Sequence, residues 1–119
     1  MFGLFKNKKN RVSNYLREWQ IPVDKSFELI INEDSWQFVN EDGSRVLYFS
    51  ILNITGDPSI LGGSLSKAKP TVKYTEHRWQ LKGTKTKEDK ILVCVFSFVT
   101  ENDLQWAEEL FENITFVGT

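Results

Sequence analysis

The chain has 119 residues, of which 40% are hydrophobic and 26% charged, with nine Phe, four Trp and three Tyr. This is the size and composition of one folded domain with its own core, which excludes wholesale disorder. A net charge of −1 leaves no global field to recruit nucleic acid or an anionic membrane, and a single cysteine (Cys94) and single histidine (His77) exclude an internal disulfide and a zinc set.

No run is long enough to span a bilayer. The start, Met1–Phe5, turns basic at Lys6 without the apolar core of a signal peptide. Together with the sparse cysteine usage, these features imply a cytoplasmic protein. Charge falls in blocks. Residues 1–17 are basic, residues 18–66 acidic, residues 67–90 basic (Lys67, Lys69, Lys73, Arg78, Lys82, Lys85, Lys87 and Lys90) and residues 91–119 hold acids alone. Such blocks commonly attract one another across neighbouring elements.

Residues 1–9 read as a flexible basic N-terminus and 10–119 as a single α/β domain. Phe2, Leu4 and Phe5 beside Lys6, Lys8 and Lys9 could touch an anionic membrane, but so short a segment reads better as a frayed terminus. Val12, Tyr15, Leu16 and Trp19 recur at i, i+3, i+4 and i+7, predicting a helix from about Arg11 to Gln20, ended by Pro22. Phe27–Ile31 is a short strand. Trp36–Val39 and Arg45–Ile54 flank Asn40–Ser44, whose Asp-Gly step signals a hairpin.

Arg45–Ile54 does not alternate cleanly, and neither does Ile91–Val99. In the latter, Ile91, Val93, Val95 and Val99 face one way, and Leu92, Cys94, Phe96 and Phe98 the other. A strand apolar on both sides predicts a layer on each side of the sheet, either helices on both or a helix on one face and loops on the other. Gly56–Pro70 is a long loop, of a length usually functional or mobile. Thr71–Leu81 reads as one polar strand near an edge, and Lys82–Lys90 as a charged hairpin connection. Thr100–Asp103 has the pattern of a capping box before a helix running from Glu101 to about Ile114. Its buried stripe is Leu104, Ala107, Leu110, Phe111 and Ile114. Thr115–Val117 adds a strand stub. The expected fold is a sandwich of a mainly antiparallel sheet with an N-terminal and a C-terminal helix.

The chemical inventory is thin. Cys94 lies mid-strand, where a thiol is an inert small hydrophobe, and no Gly-x-Ser-x-Gly elbow is present. The adjacent pairs Glu33-Asp34 and Glu41-Asp42 lack the spacing of a calcium loop. Gly56–Ser64 lacks the lysine a phosphate loop requires. The expectation is therefore no catalytic residues, no cofactor and no metal. Binding candidates remain. The basic hairpin interleaves lysines with Tyr74, His77 and Trp79, a combination able to hold single-stranded nucleic acid, although the acidic whole speaks for a solvated edge. Trp106 borders the buried stripe of the last helix, and Trp36 and Trp79 are expected at the surface, as tryptophans at protein interfaces are.

The order of elements resembles the PsbP-like family. Phe27, Leu29 and Trp36 stand where that family has its opening strand and aromatic turn. The Gly43 hairpin leads to a long strand, and Ile91–Val99 runs into a helix and the stub Ile114-Thr115-Phe116. Asn32–Ser35 replaces the proline the family places before its tryptophan, and Gly56–Pro70 matches nothing in it. The resemblance implies an α/β/α sandwich around an antiparallel sheet, used as a non-enzymatic adaptor or assembly subunit.

The reading that results is a non-catalytic protein-binding domain, an adaptor or a small inhibitor or immunity-type protein. Its candidate partner-binding residues are Trp36, Tyr74, Arg78, Trp79 and Trp106, and a homodimer is a further arrangement. The alternative is binding of a small molecule or single-stranded nucleic acid through loop 56–70 or the basic hairpin 67–90.

Overall fold

The computed structural model describes residues 14–53, 69–87 and 89–118. Its main element is a six-stranded sheet of β2 (Glu28–Ile31), β3 (Ser35–Val39), β4 (Arg45–Asn53), β5 (Thr71–Thr75), β6 (Arg78–Lys87) and β7 (Lys90–Phe98). The spatial order is β2-β3-β4-β7-β6-β5, every neighbouring pair antiparallel. Two three-stranded meanders thus join through β4 and β7 at the centre. A second, two-stranded sheet pairs β1 (Trp19–Gln20) with β8 (Thr115–Phe116). A 3-10 turn at Glu101–Asp103 leads into helix α1, Leu104–Glu112. No described helix is long and apolar enough to cross a membrane.

The core lies on one face of the sheet. The in-register row Trp36, Phe49, Cys94 and Gly83 crosses four strands, and Phe38, Leu47, Phe96 and Leu81 form the next row. Side chains on one side of a pleated sheet share that side across every strand, so these rows and Leu92 and Phe98 all face α1. Phe49 packs against Trp36 (5.6 Å between ring centres) and Phe96 (5.6 Å), and Phe96 against Phe111 of α1 (6.5 Å). Ala107, Leu110, Phe111 and Ile114 are buried against them. Fully burying each large apolar side chain contributes about 1.5–3 kcal/mol.

The helix needs a close approach, and Gly83 provides it. A Cβ there would stand 2.7 Å from Cε1 and Cζ of Phe111 and 3.1 Å from Cβ of Pro70. Gly43 has φ 74°, the left-handed conformation a glycine adopts freely, as its turn between β3 and β4 requires.

Several expectations change. Residues 14–18 are helical, but Trp19 and Gln20 are strand, and residues 11–13 lie outside the described chain. Trp19 leaves the helix because its ring is buried edge-on to Phe116 (5.1 Å) across the β1–β8 pair. Tyr15 stacks on Trp36, so helical residues 14–18 cover the same face as α1. No described helix covers the opposite face. There Val93 and Val95 are only half-buried, and Val99 falls beyond β7 and is exposed. Among the described residues, helix therefore covers Ile91–Val99 on the Leu92–Phe98 side, and the loop expected as an alternative cover for the other side lies mostly outside them.

The Thr71–Leu81 strand is two strands with a turn at Glu76–His77, and most of the expected Lys82–Lys90 connection is the continuation of β6 to Lys87. The Thr100 capping box does not close: Thr100 makes no side-chain cap bond, while Asp103 accepts from Arg45 instead. Phe27 precedes β2 rather than opening it. The segments expected as a basic terminus (1–9) and as most of a long loop (56–70) lie outside the described residues.

A candidate binding surface at the β5 edge

β5 is an outer strand, and all five of its residues are exposed. Its β-branched and aromatic sequence, Thr-Val-Lys-Tyr-Thr, favours the extended chain. The turn to β6 is unusual, because Glu76 (φ 51°) and His77 (φ 67°) both adopt the left-handed conformation. That is the two-residue turn whose twist matches antiparallel strands, normally built from Asn-Gly. The register Thr75↔Arg78, Tyr74↔Trp79, Lys73↔Gln80 and Thr71↔Lys82 follows from it.

This register sorts the hairpin's side chains by chemistry. On the α1 side stand Val72 (39% exposed) and Tyr74 (52% exposed). Tyr74 lies against Trp79 (5.0 Å between ring centres), which packs on the core. On the other side stand Lys73 and its diagonal neighbours Arg78 and Lys82. Lys73 and Lys82 are exposed, and neither has a carboxylate partner among the described residues.

Arg78 is held differently. Its Nε donates to Ser97 Oγ (2.7 Å), and its terminal nitrogen donates to the carbonyls of Gly43 (3.2 Å) and Ser44 (3.5 Å). It therefore ties the β3–β4 turn to β6 and β7, and no acid among the described residues pairs with its charge. Lys85, Lys87 and Lys90 of the basic segment lie on the α1 side and are engaged there. Lys85 Nζ sits 4.4 Å over the Phe111 ring, Lys87 Nζ 5.8 Å from that of Phe116, and Lys90 Nζ 3.4 Å from Glu18 Oε2. The basic segment is not one patch.

The other expected binding residues separate. Trp36 is fully buried between Tyr15 and Phe49 and presents no surface, because its strand position faces the core. Trp106 is half-buried, stacked on Phe27 (6.1 Å) under the Arg45 guanidinium (4.6 Å). Arg45 also donates twice to Asp103, at 3.1 and 2.8 Å. These hydrogen bonds hold the Asp103 carboxyl below its usual range and raise the Arg45 guanidinium. Tyr74, Trp79, Phe98 and Arg45 form one cross-strand row, so Arg45, whose guanidinium covers Trp106, starts three strand spacings, about 14 Å, from Tyr74. The structure thus brings together Tyr74, Trp79 and, on the reverse side, Arg78. It leaves Trp36 and Trp106 elsewhere.

The single cysteine and the single histidine stand apart, Cys94 in mid-strand and His77 at the hairpin tip. Cys94 is buried, and burial pushes its thiol up to about 12. His77 is exposed. No described cluster of three or more His, Cys, Asp or Glu side chains could hold a metal ion.

Two features escaped the sequence reading: the Glu76–His77 turn and the sorting of side chains it produces. Two residues between strand-forming runs was the available signal, but Glu-His lacks the Asn-Gly chemistry by which such turns are recognised. No protein-family model and no curated protein matches this chain.

Proposed function

We propose that this chain is a non-catalytic protein-binding domain and that the β5–β6 edge is its contact surface. One observation carries the reading. β5 is an edge strand with no strand partner on its outer side among the described residues, and its apolar side chains, Val72 and Tyr74, stand in solvent beside Trp79. Free strand edges template pairing with other chains, and exposed aromatics anchor interfaces. The inert state of Cys94 supports a role without chemistry. The adaptor or assembly role that the PsbP-like resemblance implies is one form of this reading, although no described helix supplies the second layer of the α/β/α sandwich it implies.

Single-stranded nucleic acid is less well served. Stacking platforms offer aromatics and cations to one strand on one surface, whereas here Tyr74 and Trp79 lie opposite Lys73, Arg78 and Lys82.

The test is photo-crosslinking in lysate of the source organism, with benzoylphenylalanine replacing Tyr74 and, as a control, Gln105 on the outer face of α1. The expected result is one saturable protein adduct from position 74, competed away by excess unmodified protein. An adduct pattern identical from both positions, or none at all, refutes the proposed surface.

A further inference from the structure

We infer that the occupant of the β5 edge is an extended segment of a partner protein that adds as a seventh strand, its side chains alternating between apolar and acidic. This rests on the protein-binding reading and names how the binding is done.

The backbone argument comes first. A two-residue turn with both central residues left-handed makes Thr75 and Arg78 a hydrogen-bonded pair. Hydrogen-bonded and non-bonded pairs then alternate along an antiparallel ladder. Thr75, Lys73 and Thr71 turn their main-chain groups toward β6. Val72 and Tyr74 turn theirs outward, leaving two N–H donors and two carbonyl acceptors along a strand of five residues, about 17 Å long.

Side chains set the pattern. A strand laid beside β5 places alternate residues on opposite faces of the sheet. On the α1 side they meet Val72 and Tyr74, backed by Trp79, and apolar residues there extend the exposed hydrophobic strip. On the other side they meet Lys73, with Lys82 and Arg78 as diagonal neighbours at the 7–8 Å or so typical of such pairs. Three cations and no described counter-ion favour a carboxylate at that place, since opposite charges across strands attract.

A second copy of this chain fits poorly. Full antiparallel overlap of β5 with itself sets Lys73 against its own equivalent, and facing like charges destabilise a pair. A cationic side chain in the middle of an edge strand is a common device against self-pairing.

The test uses a synthetic heptapeptide, Glu-Val-Glu-Tyr-Glu-Val-Glu, with capped ends. It is titrated into the isotope-labelled protein and followed by amide shifts and hydrogen exchange. Expected are shifts centred on β5 and exchange protection of the Val72 and Tyr74 amides. A peptide N-methylated on the amides facing β5 should lose binding, and one methylated on the alternate amides should retain it. Lys73→Glu with Lys82→Glu should weaken binding tenfold or more, with Lys73→Gln intermediate.

Equal binding of a scrambled peptide overturns the inference, as do shifts away from β5, indifference to N-methylation, or displacement of the peptide by oligothymidylate. A protein adduct from position 74 that survives Lys73→Glu/Lys82→Glu sinks strand addition but leaves the proposed surface standing. Loss of the adduct in that variant supports both.

Discussion

Gly83→Ala tests the packing of α1 on the sheet most directly. The new Cβ would stand 2.7 Å from two ring atoms of Phe111 and 3.1 Å from Pro70, well inside ordinary carbon contact distance. The Phe111 ring has little room to retreat. It is 5% exposed, packs against Phe96, and carries Lys85 over its face at 4.4 Å. Overpacking of this kind costs about 1–3 kcal/mol. Against it, alanine restricts the unfolded chain and returns about 0.4–1 kcal/mol. The net expectation is a loss of roughly 1–2 kcal/mol, read as a lower urea midpoint with unchanged slope. Phe111→Leu is destabilising alone, yet it removes the two atoms that collide. Gly83→Ala in that background should therefore cost about 1 kcal/mol less than in the native protein, a coupling within the range for contacting residues. A Gly83→Ala protein as stable as the native one, or costs that simply add, would show that α1 does not need the close approach.

The Arg45–Asp103 pair makes a pH prediction. Because Arg45 lowers the Asp103 carboxyl in the folded state, the pair's stabilisation is complete above the unfolded carboxylate value near ~3.9 and fades as pH falls through the folded one. Asp103→Asn should cost about 1 kcal/mol at pH 7, since the pair is only part-buried; the urea midpoints should converge below about pH 4, and a gap that widens on acidification refutes the assignment. Cys94, buried with its thiol pushed up to about 12, should resist iodoacetamide in native buffer at pH 8 and react at once in urea; fast native labelling would contradict its burial. His77→Gly relieves a left-handed non-glycine residue in the hairpin turn and should raise stability by about 1 kcal/mol in urea titrations, whereas a loss would mean the imidazole is doing something there that the backbone argument omits.

Periodicity was enough to sort the central strands' side chains onto two faces, though not to tell which face is buried, since both read as apolar. Leu47, Phe49 and Ile51, then Leu92, Cys94, Phe96 and Phe98, alternate with the period of a strand, and the structure places them on one face against α1. The stripe of α1 was equally legible, because three- and four-residue spacing repeats over the whole helix. The Gly43 hairpin was legible from its turn chemistry. The helix from Arg11 was read too far, since Trp19 continues the apolar spacing while its backbone pairs with Thr115–Phe116 nearly a hundred residues later. No local pattern carries a contact of that range. Trp36 was assigned to the surface because a tryptophan beside a polar turn has no local mark of burial; its strand parity, known only once β3 pairs with β4, sends it inward.

The β5 edge shows where local reading ends. In a single strand over Thr71–Leu81, Tyr74 and Arg78 share one face, and Lys73 and Trp79 the other, which mixes aromatics with bases. The Glu76–His77 turn folds that strand back on itself, so Tyr74 meets Trp79, and Lys73 joins Arg78 and Lys82. Composition and spacing were sufficient for β3, β4, β7 and α1, because these depend on residues close in the chain. Which side chains share a face at the edge depended on a turn that its residues disfavour and that the pairing of β5 with β6, itself held in the sheet by β7, closes all the same. The separation of charge from aromatic surface, on which the proposed binding mode rests, is therefore a property of the tertiary structure.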